Sequence, residues 1–212
     1  MSKISNYQGY LFDFDGVIID VNEIKGQGFA EIYRPAGEEV VRKVLEHHQM
    51  NLGANRLEKF RYCHRNFLNK TLSEGELASL SKKFSDYTTH KIIEAPLIAG
   101  VETFLAFLLN KNKKIFIASN APEDEVRKIV SERKLRKYFL AVKGAPLSKN
   151  ESVGQILQGY NLHASDCVLF GDTESDGQVA ESFEIDFVPI NYFDKSRGYA
   201  NFTELMESQV YV

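Results

Sequence analysis

Apolar residues fall in short, nearly continuous blocks along this chain: Tyr10–Phe14, Lys114–Ser119, Tyr138–Lys143, Cys167–Gly171 and Phe187–Asn191. Blocks without alternation are the pattern of strands buried on both faces. Helical spacing leads into and separates the last four. Val101–Leu109 is strongly apolar with a polar flank, and Glu123–Lys134 follows Pro122, a good first-turn residue. Ser152–Gln158 and Gln178–Phe183 are shorter helical patterns. Strands alternating with helices imply a parallel sheet covered on both faces. The expected fold class is α/β, a doubly wound parallel sheet of the Rossmann-like kind. Such sheets bind ligands beyond the carboxyl ends of their strands.

Between about Ile18 and Pro96 the rhythm changes, and little there resembles a strand. Val40, Val41, Val44, Leu45 and His48 recur near helical spacing within Glu38–His48. Leu57, Phe60, His64, Phe67 and Leu68 do the same, and Glu74–Ile93 is a third helical tract in which a break is left open. The expected organisation is a sheet domain of residues 1–17 and 97–212, with an all-helical insert of residues 18–96 after the first strand. Neither an internal repeat nor a low-complexity segment is visible.

Bulk composition narrows this picture only a little. The chain has 212 residues, 43% of them apolar and 26% charged. That suits one domain with a modest insert and a sizeable core. A net charge of −3 announces no basic surface for nucleic acid. Cys63 and Cys167 are the only cysteines and lie far apart, so neither a zinc site nor a disulfide framework can be read from them. No signal peptide and no membrane span is visible, so the expected location is the cytoplasm. Oligomeric state is left open.

Polar residues at the strand ends change the picture most. "YLFDFDGVII" places Asp13, Asp15 and Gly16 directly after an apolar run. "IFIASN" ends in Ser119 and Asn120, "KGAPLSKNE" carries Lys149, and "VLFGDTESD" carries Asp172 and Asp176. Taken singly, these are a polar turn, a helix cap, a surface lysine and a loop. Taken together, they converge on one rim of a parallel sheet. Several carboxylates in one place repel one another unless a cation joins them, and Mg²⁺ suits carboxylate oxygens together with phosphate. Serine hydroxyl, backbone N–H and lysine ammonium are phosphate-binding groups. A carboxylate can attack phosphorus, and a second can protonate the leaving oxygen and then deprotonate water. In that reading Asp13 attacks and Asp15 moves the proton.

The set resembles the haloacid dehalogenase superfamily in its phosphatase branch. "DFDG" is similar to the first motif, "IFIASN" to the second, Lys149 to the third and "GDTESD" to the fourth. An insert just after the first motif resembles the helical-cap members, including phosphoglycolate phosphatase-like and β-phosphoglucomutase-like enzymes. The resemblance implies Asp13 as nucleophile and metal ligand. It implies Asp15 as acid/base, its backbone carbonyl also on Mg²⁺. Ser119, the Asn120 backbone and Lys149 would hold phosphate. Asp172 would bind the metal, with Asp176 as ligand or support. Relatives that cleave carbon–halogen bonds lack the second aspartate, so Asp15 implies phosphate chemistry.

Residues 55 to 70 hold five basic residues against Glu58 alone, a run that usually makes a solvated helix face. "GANR" resembles the substrate-facing cap loop of β-phosphoglucomutase-like enzymes, which implies a substrate role for Arg56. Lys59, one turn on, is a second candidate. The leading expectation is a Mg²⁺-dependent phosphatase acting on a small phosphorylated metabolite. A phosphomutase and a non-catalytic binding protein on the same fold are the alternatives.

Overall fold

A computed structural model of the chain describes residues 4–192 and 196–210. The chain divides into two compact units, Met1–Asp20 with Pro96–Val212, and Val21–Ala95. The first unit holds strands β1 (Gly9–Phe12), β2 (Lys114–Pro122), β3 (Ala141–Ala145), β4 (Cys167–Gly171) and β5 (Asp186–Pro189). The second holds helices α1 (Asn22–Tyr33), α2 (Glu38–Met50), α3 (Arg56–Phe67) and α4 (Glu74–Glu94). Back in the first unit follow α5 (Val101–Asn110), α6 (Glu123–Glu132), α7 (Lys149–Gly159), α8 (Glu174–Phe183) and α9 (Phe202–Val210).

All five strands are parallel, in the order β3-β2-β1-β4-β5. Strand β1 takes the centre, where both faces are covered: Tyr10, Leu11 and Phe12 have no exposed surface. Alternate residues serve opposite layers. Leu11, Phe116 and Leu169 pack with Val153 and Ile156 of α7 and with Val179 and Ala180 of α8. Phe12 stacks on Phe170 at 4.7 Å and meets Phe104 of α5 and Phe202 of α9. Burying each such ring contributes roughly 2–3 kcal/mol. The rings fill the layer that a continuous apolar strand requires.

Several boundaries differ from the pattern in the sequence. Residues Arg136–Tyr138 wind into a 3₁₀ turn, so β3 begins at Ala141 although Tyr138 and Phe139 are buried. Strand β2 continues to Pro122 with a register shift between Ala118 and Pro122. Helix α7 starts at Lys149 rather than Ser152, because Ser148 and Glu151 form a capping box. Helix α9 carries no long periodic run, and its place is set by Phe202 and Leu205 entering the core.

The chain leaves this unit after Asp20 and rejoins it at Pro96. Ile19 pairs antiparallel with Leu97. The Asp20 N–H donates to the Pro96 carbonyl at 3.1 Å, and the Ile98 N–H to the Ile18 carbonyl at 3.0 Å.

In the helical unit, Phe29, Tyr33, Val44, Phe60, Cys63, Leu77 and Phe84 form the core. Helix α4 is unbroken over Glu74–Glu94 and starts at a Ser73/Glu76 capping box. Helix α1 has no counterpart in the sequence pattern. Gly26 and Gly28 each cost a helix about 1 kcal/mol and blur its amphipathicity. Packing offsets this, since a Cβ on Gly28 would lie 2.6 Å from Thr88 Cγ2 and 3.0 Å from Phe84 Cε2. The missing side chain lets α1 approach α4. Among the described residues, no helix is long and apolar enough to cross a membrane.

His48 is buried in this unit, with Lys59 Nζ 3.0 Å from its Nδ1. Burial first, and the Lys59 charge second, push the imidazole pKa down to about 3. The unfolded chain binds this proton near pH 6.5 while the folded chain does not, so stability falls as pH drops below that value. The expected loss from this group between pH 7 and pH 5 is about 2 kcal/mol. Urea unfolding at both pH values should show that His48→Gln escapes this part of the loss. An identical pH response in the variant would sink the assignment.

Candidate active site

The carboxyl ends of β1 and β4 lie side by side, and the site grows from them. The Asp13 N–H donates to the Phe170 carbonyl at 2.9 Å, extending the ladder one residue beyond β1. Asp13 Oδ1 accepts the next N–H, from Phe14, at 2.7 Å. The chain then coils back through Phe14–Ile19. Ile18 N–H donates to the Phe14 carbonyl at 3.0 Å and Gly16 N–H to the Ile19 carbonyl at 2.8 Å. Gly16 has a φ of +78°, and a Cβ there would lie 2.0 Å from Asp172 Oδ2. Only glycine suits this position, because the backbone is left-handed and the Asp172 carboxylate occupies the space.

After β4 the chain enters α8 at once. Thr173 donates to Asp176 Oδ2 from its N–H at 3.1 Å and its hydroxyl at 2.7 Å. Thr173 is a site residue not singled out in the sequence reading, although T-x-x-D before a helix is a capping-box signature. The cap fixes one oxygen of Asp176 and leaves the other facing Lys149. From the first position of α7, Lys149 places Nζ 3.0 Å from Asp13 Oδ1 and pairs with Asp176 Oδ1.

Four of the expected residues therefore meet. Asp13, Asp172 and Asp176 are buried, and one carboxylate oxygen from each lies within 4.8 Å of the others. Lys149 is buried among them, 4% exposed. Burial is the largest cause pushing Asp13 up to about 7; Lys149 opposes it, while Asp176 and Asp15 add to it. Burial and then the charges of Asp13 and Asp176 push Asp172 up to about 9. For Lys149, burial favours the neutral amine, but Asp13 and Asp176 outweigh it and hold the ammonium above its usual range. One ammonium cannot balance three buried carboxylates. The donor set, all oxygen, fits a hard divalent cation.

The remaining expected residues stand differently. The Asp15 side chain is outside the close trio, yet its charge raises both Asp13 and Asp172. Ser119 lies fully buried on β2 two residues past Ile117, the partner of Phe12, which places it on the same rim. Its Oγ accepts from the Ala121 N–H at 3.1 Å, which leaves the hydroxyl proton available to an acceptor. Asn120 follows in the segment where the β2 register shifts. Arg56 and Lys59 belong to the helical unit. Arg56 donates to Ser85 Oγ at 2.7 Å and lies over the Phe84 ring, while Lys59 reaches His48 and the Leu52 carbonyl.

The haloacid dehalogenase-like hydrolase family matches the chain over residues 10–190. Among curated proteins, none matches the sequence. Solved structures match over nearly the whole length. A β-phosphoglucomutase from Clostridium difficile is 19% identical, with 97% of this chain and 98% of that chain covered and a TM-score of 0.77. A predicted phosphoglycolate phosphatase from Haemophilus somnus is 14% identical, with coverages of 97% and 99% and a TM-score of 0.75. CbbY from Rhodobacter sphaeroides, solved with xylulose-(1,5)bisphosphate, is 13% identical, with coverages of 94% and 96% and a TM-score of 0.73. At these identities the likeness carries the fold.

Proposed function

Because the chain belongs to the haloacid dehalogenase-like hydrolases, we propose that it is a Mg²⁺-dependent phosphatase acting on a small phosphorylated metabolite through a phosphorylated Asp13. The substrate class is a sugar phosphate or a phosphorylated acid. The observation that carries this reading is the buried cluster of Asp13, Asp172 and Asp176 around Lys149.

Asp13 Oδ2 attacks phosphorus while Oδ1 stays held by Lys149 and the Phe14 N–H. The P–O bond to the substrate alcohol breaks, and Asp15 gives its proton to the leaving oxygen. Asp15 then takes a proton from water, whose oxygen attacks phosphorus as the bond from phosphorus to Asp13 Oδ2 breaks. Inorganic phosphate leaves and the Asp13 carboxylate returns. Ser119 Oγ, the Asn120 backbone N–H and the Lys149 ammonium hold the phosphoryl oxygens throughout. Asp13, Asp172 and the Asp15 carbonyl would hold Mg²⁺, with Asp176, whose oxygens pair with Lys149 and Thr173, as a further ligand or support. Mg²⁺ supplies neutralisation of the acidic cluster and polarisation of the phosphoryl group when bound.

In this proposal residues 18–96 serve as a cap domain, and residues 1–17 and 97–212 carry the reacting groups. Arg56 and Lys59, both in the first turn of α3, serve the substrate end. The site works on soluble metabolites rather than nucleic acid, and the expected compartment is the cytoplasm.

A panel of sugar phosphates and phosphorylated acids tests the reading. At least one compound should release inorganic phosphate, with turnover lost in EDTA and restored by excess Mg²⁺. Isomer formation without free phosphate would replace hydrolysis with a phosphomutase reaction. Failure of every compound, with tight capture of a protein instead, would replace it with a binding role.

A further inference from the structure

We propose that Asn191 is a positioning residue, whose side-chain amide holds the Asp13–Gly16 loop against the Asp172 loop through the carbonyl of Gly16. The inference rests on the site proposed above and adds a segment to it that lies beyond the four strand ends.

The chain after β5 is held by backbone bonds to the end of β4 and to itself. Ile190 N–H donates to the Gly171 carbonyl at 2.9 Å, Tyr199 N–H to the Pro189 carbonyl at 3.0 Å, and Asn191 N–H to the Tyr199 carbonyl at 2.8 Å. Gly198 makes the closure possible, since a Cβ there would lie 2.3 Å from the Pro189 carbonyl oxygen. This closure sets Asn191 at a φ of +53°, a left-handed backbone that asparagine tolerates better than most residues. From there Nδ2 donates to the Gly16 carbonyl at 3.2 Å.

Gly16 is thus held from three sides. Its N–H is on Ile19, its Cα faces Asp172 Oδ2, and its carbonyl is on Asn191. The Gly16 N–H and the Asp15 carbonyl share one rigid peptide plane. The Gly16 carbonyl belongs to the next plane, so with its N–H on Ile19 and its carbonyl on Asn191 the two planes that flank Gly16 are both held, which fixes the turn at Gly16 and with it the direction of the Asp15 carbonyl beside Asp172. The neighbouring Tyr192 is buried and donates to Glu174, the first residue of α8. Two consecutive side chains therefore tie the loops after β1 and β4 to one segment. Because Asn191 is exposed, its bond competes with water and adds little to global stability. Its effect is on geometry.

Asn191→Gly and Asn191→Asp both keep the left-handed backbone accessible. The first removes the donor, and the second turns an acceptor toward the Gly16 carbonyl. In metal-free protein, hydrogen exchange across residues 13–19 should speed about fivefold to tenfold in Asn191→Gly, and more in Asn191→Asp. Mg²⁺ affinity, read as a thermal shift, should weaken by a similar factor. On a substrate found in the panel, kcat should fall with KM unchanged. Wild-type exchange and Mg²⁺ affinity in both variants would overturn the inference. A drop in melting temperature with faster exchange throughout the sheet would also overturn it, as a purely structural role. If the wild-type chain hydrolyses no phosphate ester, the proposed reaction fails, while the exchange and Mg²⁺ measurements still decide the role of Asn191.

Discussion

Asp13→Asn should lower phosphate release by about four to six orders of magnitude and leave the protein folded. The substitution keeps the shape of the side chain. An amide oxygen can still accept the Phe14 N–H, which Asp13 Oδ1 accepts at 2.7 Å. What disappears is the charged oxygen that would attack phosphorus in the proposed reaction, because a carboxamide is a very poor nucleophile. Stability should move the other way. Burial drives the Asp13 pKa up to about 7, so the folded chain disfavours its ionised form, and a neutral isostere removes that cost. The melting temperature of the metal-free variant should equal or exceed that of the wild type at pH 8, and its response to Mg²⁺ should shrink. Steady-state phosphate release and thermal melts with and without EDTA check both parts. Turnover within tenfold of wild type would remove Asp13 from the nucleophile's role.

Lys149→Met should be the more damaging change to the fold. Methionine keeps much of the length of the side chain and removes its charge. Lys149 Nζ sits 3.0 Å from Asp13 Oδ1 and also pairs with Asp176, and it is the cation placed within the buried acidic cluster. Removing one partner from a buried ion pair costs about 3–5 kcal/mol, because the remaining charge is left uncompensated. The expected signature is a lower melting temperature in EDTA and a larger Mg²⁺-induced recovery than in wild type. Activity with saturating Mg²⁺ should fall about a hundredfold to a thousandfold, since the ammonium also holds phosphoryl oxygen in the proposed reaction. An unchanged melting temperature in EDTA would contradict the pairing on which the site is built.

The rim was legible because polar residues follow the apolar runs, even where the strand itself ends later, as β2 does at Pro122. The apolar runs stop abruptly at Asp13, at Ser119 and at Asp172, and strand–helix alternation forces parallel neighbours. Lys149 was legible only as part of that set, since its burial depends on a helix that begins three residues earlier than its apolar pattern suggests. Helix α1 was illegible for a physical reason: Gly26 and Gly28 are poor helix formers, and the fit of Gly28 to Thr88 is a long-range fact. The contact of Arg56 with Ser85, 29 residues along the chain, is likewise a long-range fact. Asn191 gave no signal because its bond to Gly16 spans 175 residues. Local chemistry can be read from neighbours in the chain, whereas contacts between distant segments need the fold.

The antiparallel bridge between Ile19 and Leu97 carries one more consequence. It fastens the departing and returning chain inside the sheet unit, with Asp20 bonded to Pro96 and Ile98 to Ile18. Changes in the length or sequence of the intervening segment end at that bridge and leave the strand register untouched. A gene built this way can exchange its helical segment as a cassette. Selection can then alter that segment without rebuilding the sheet unit.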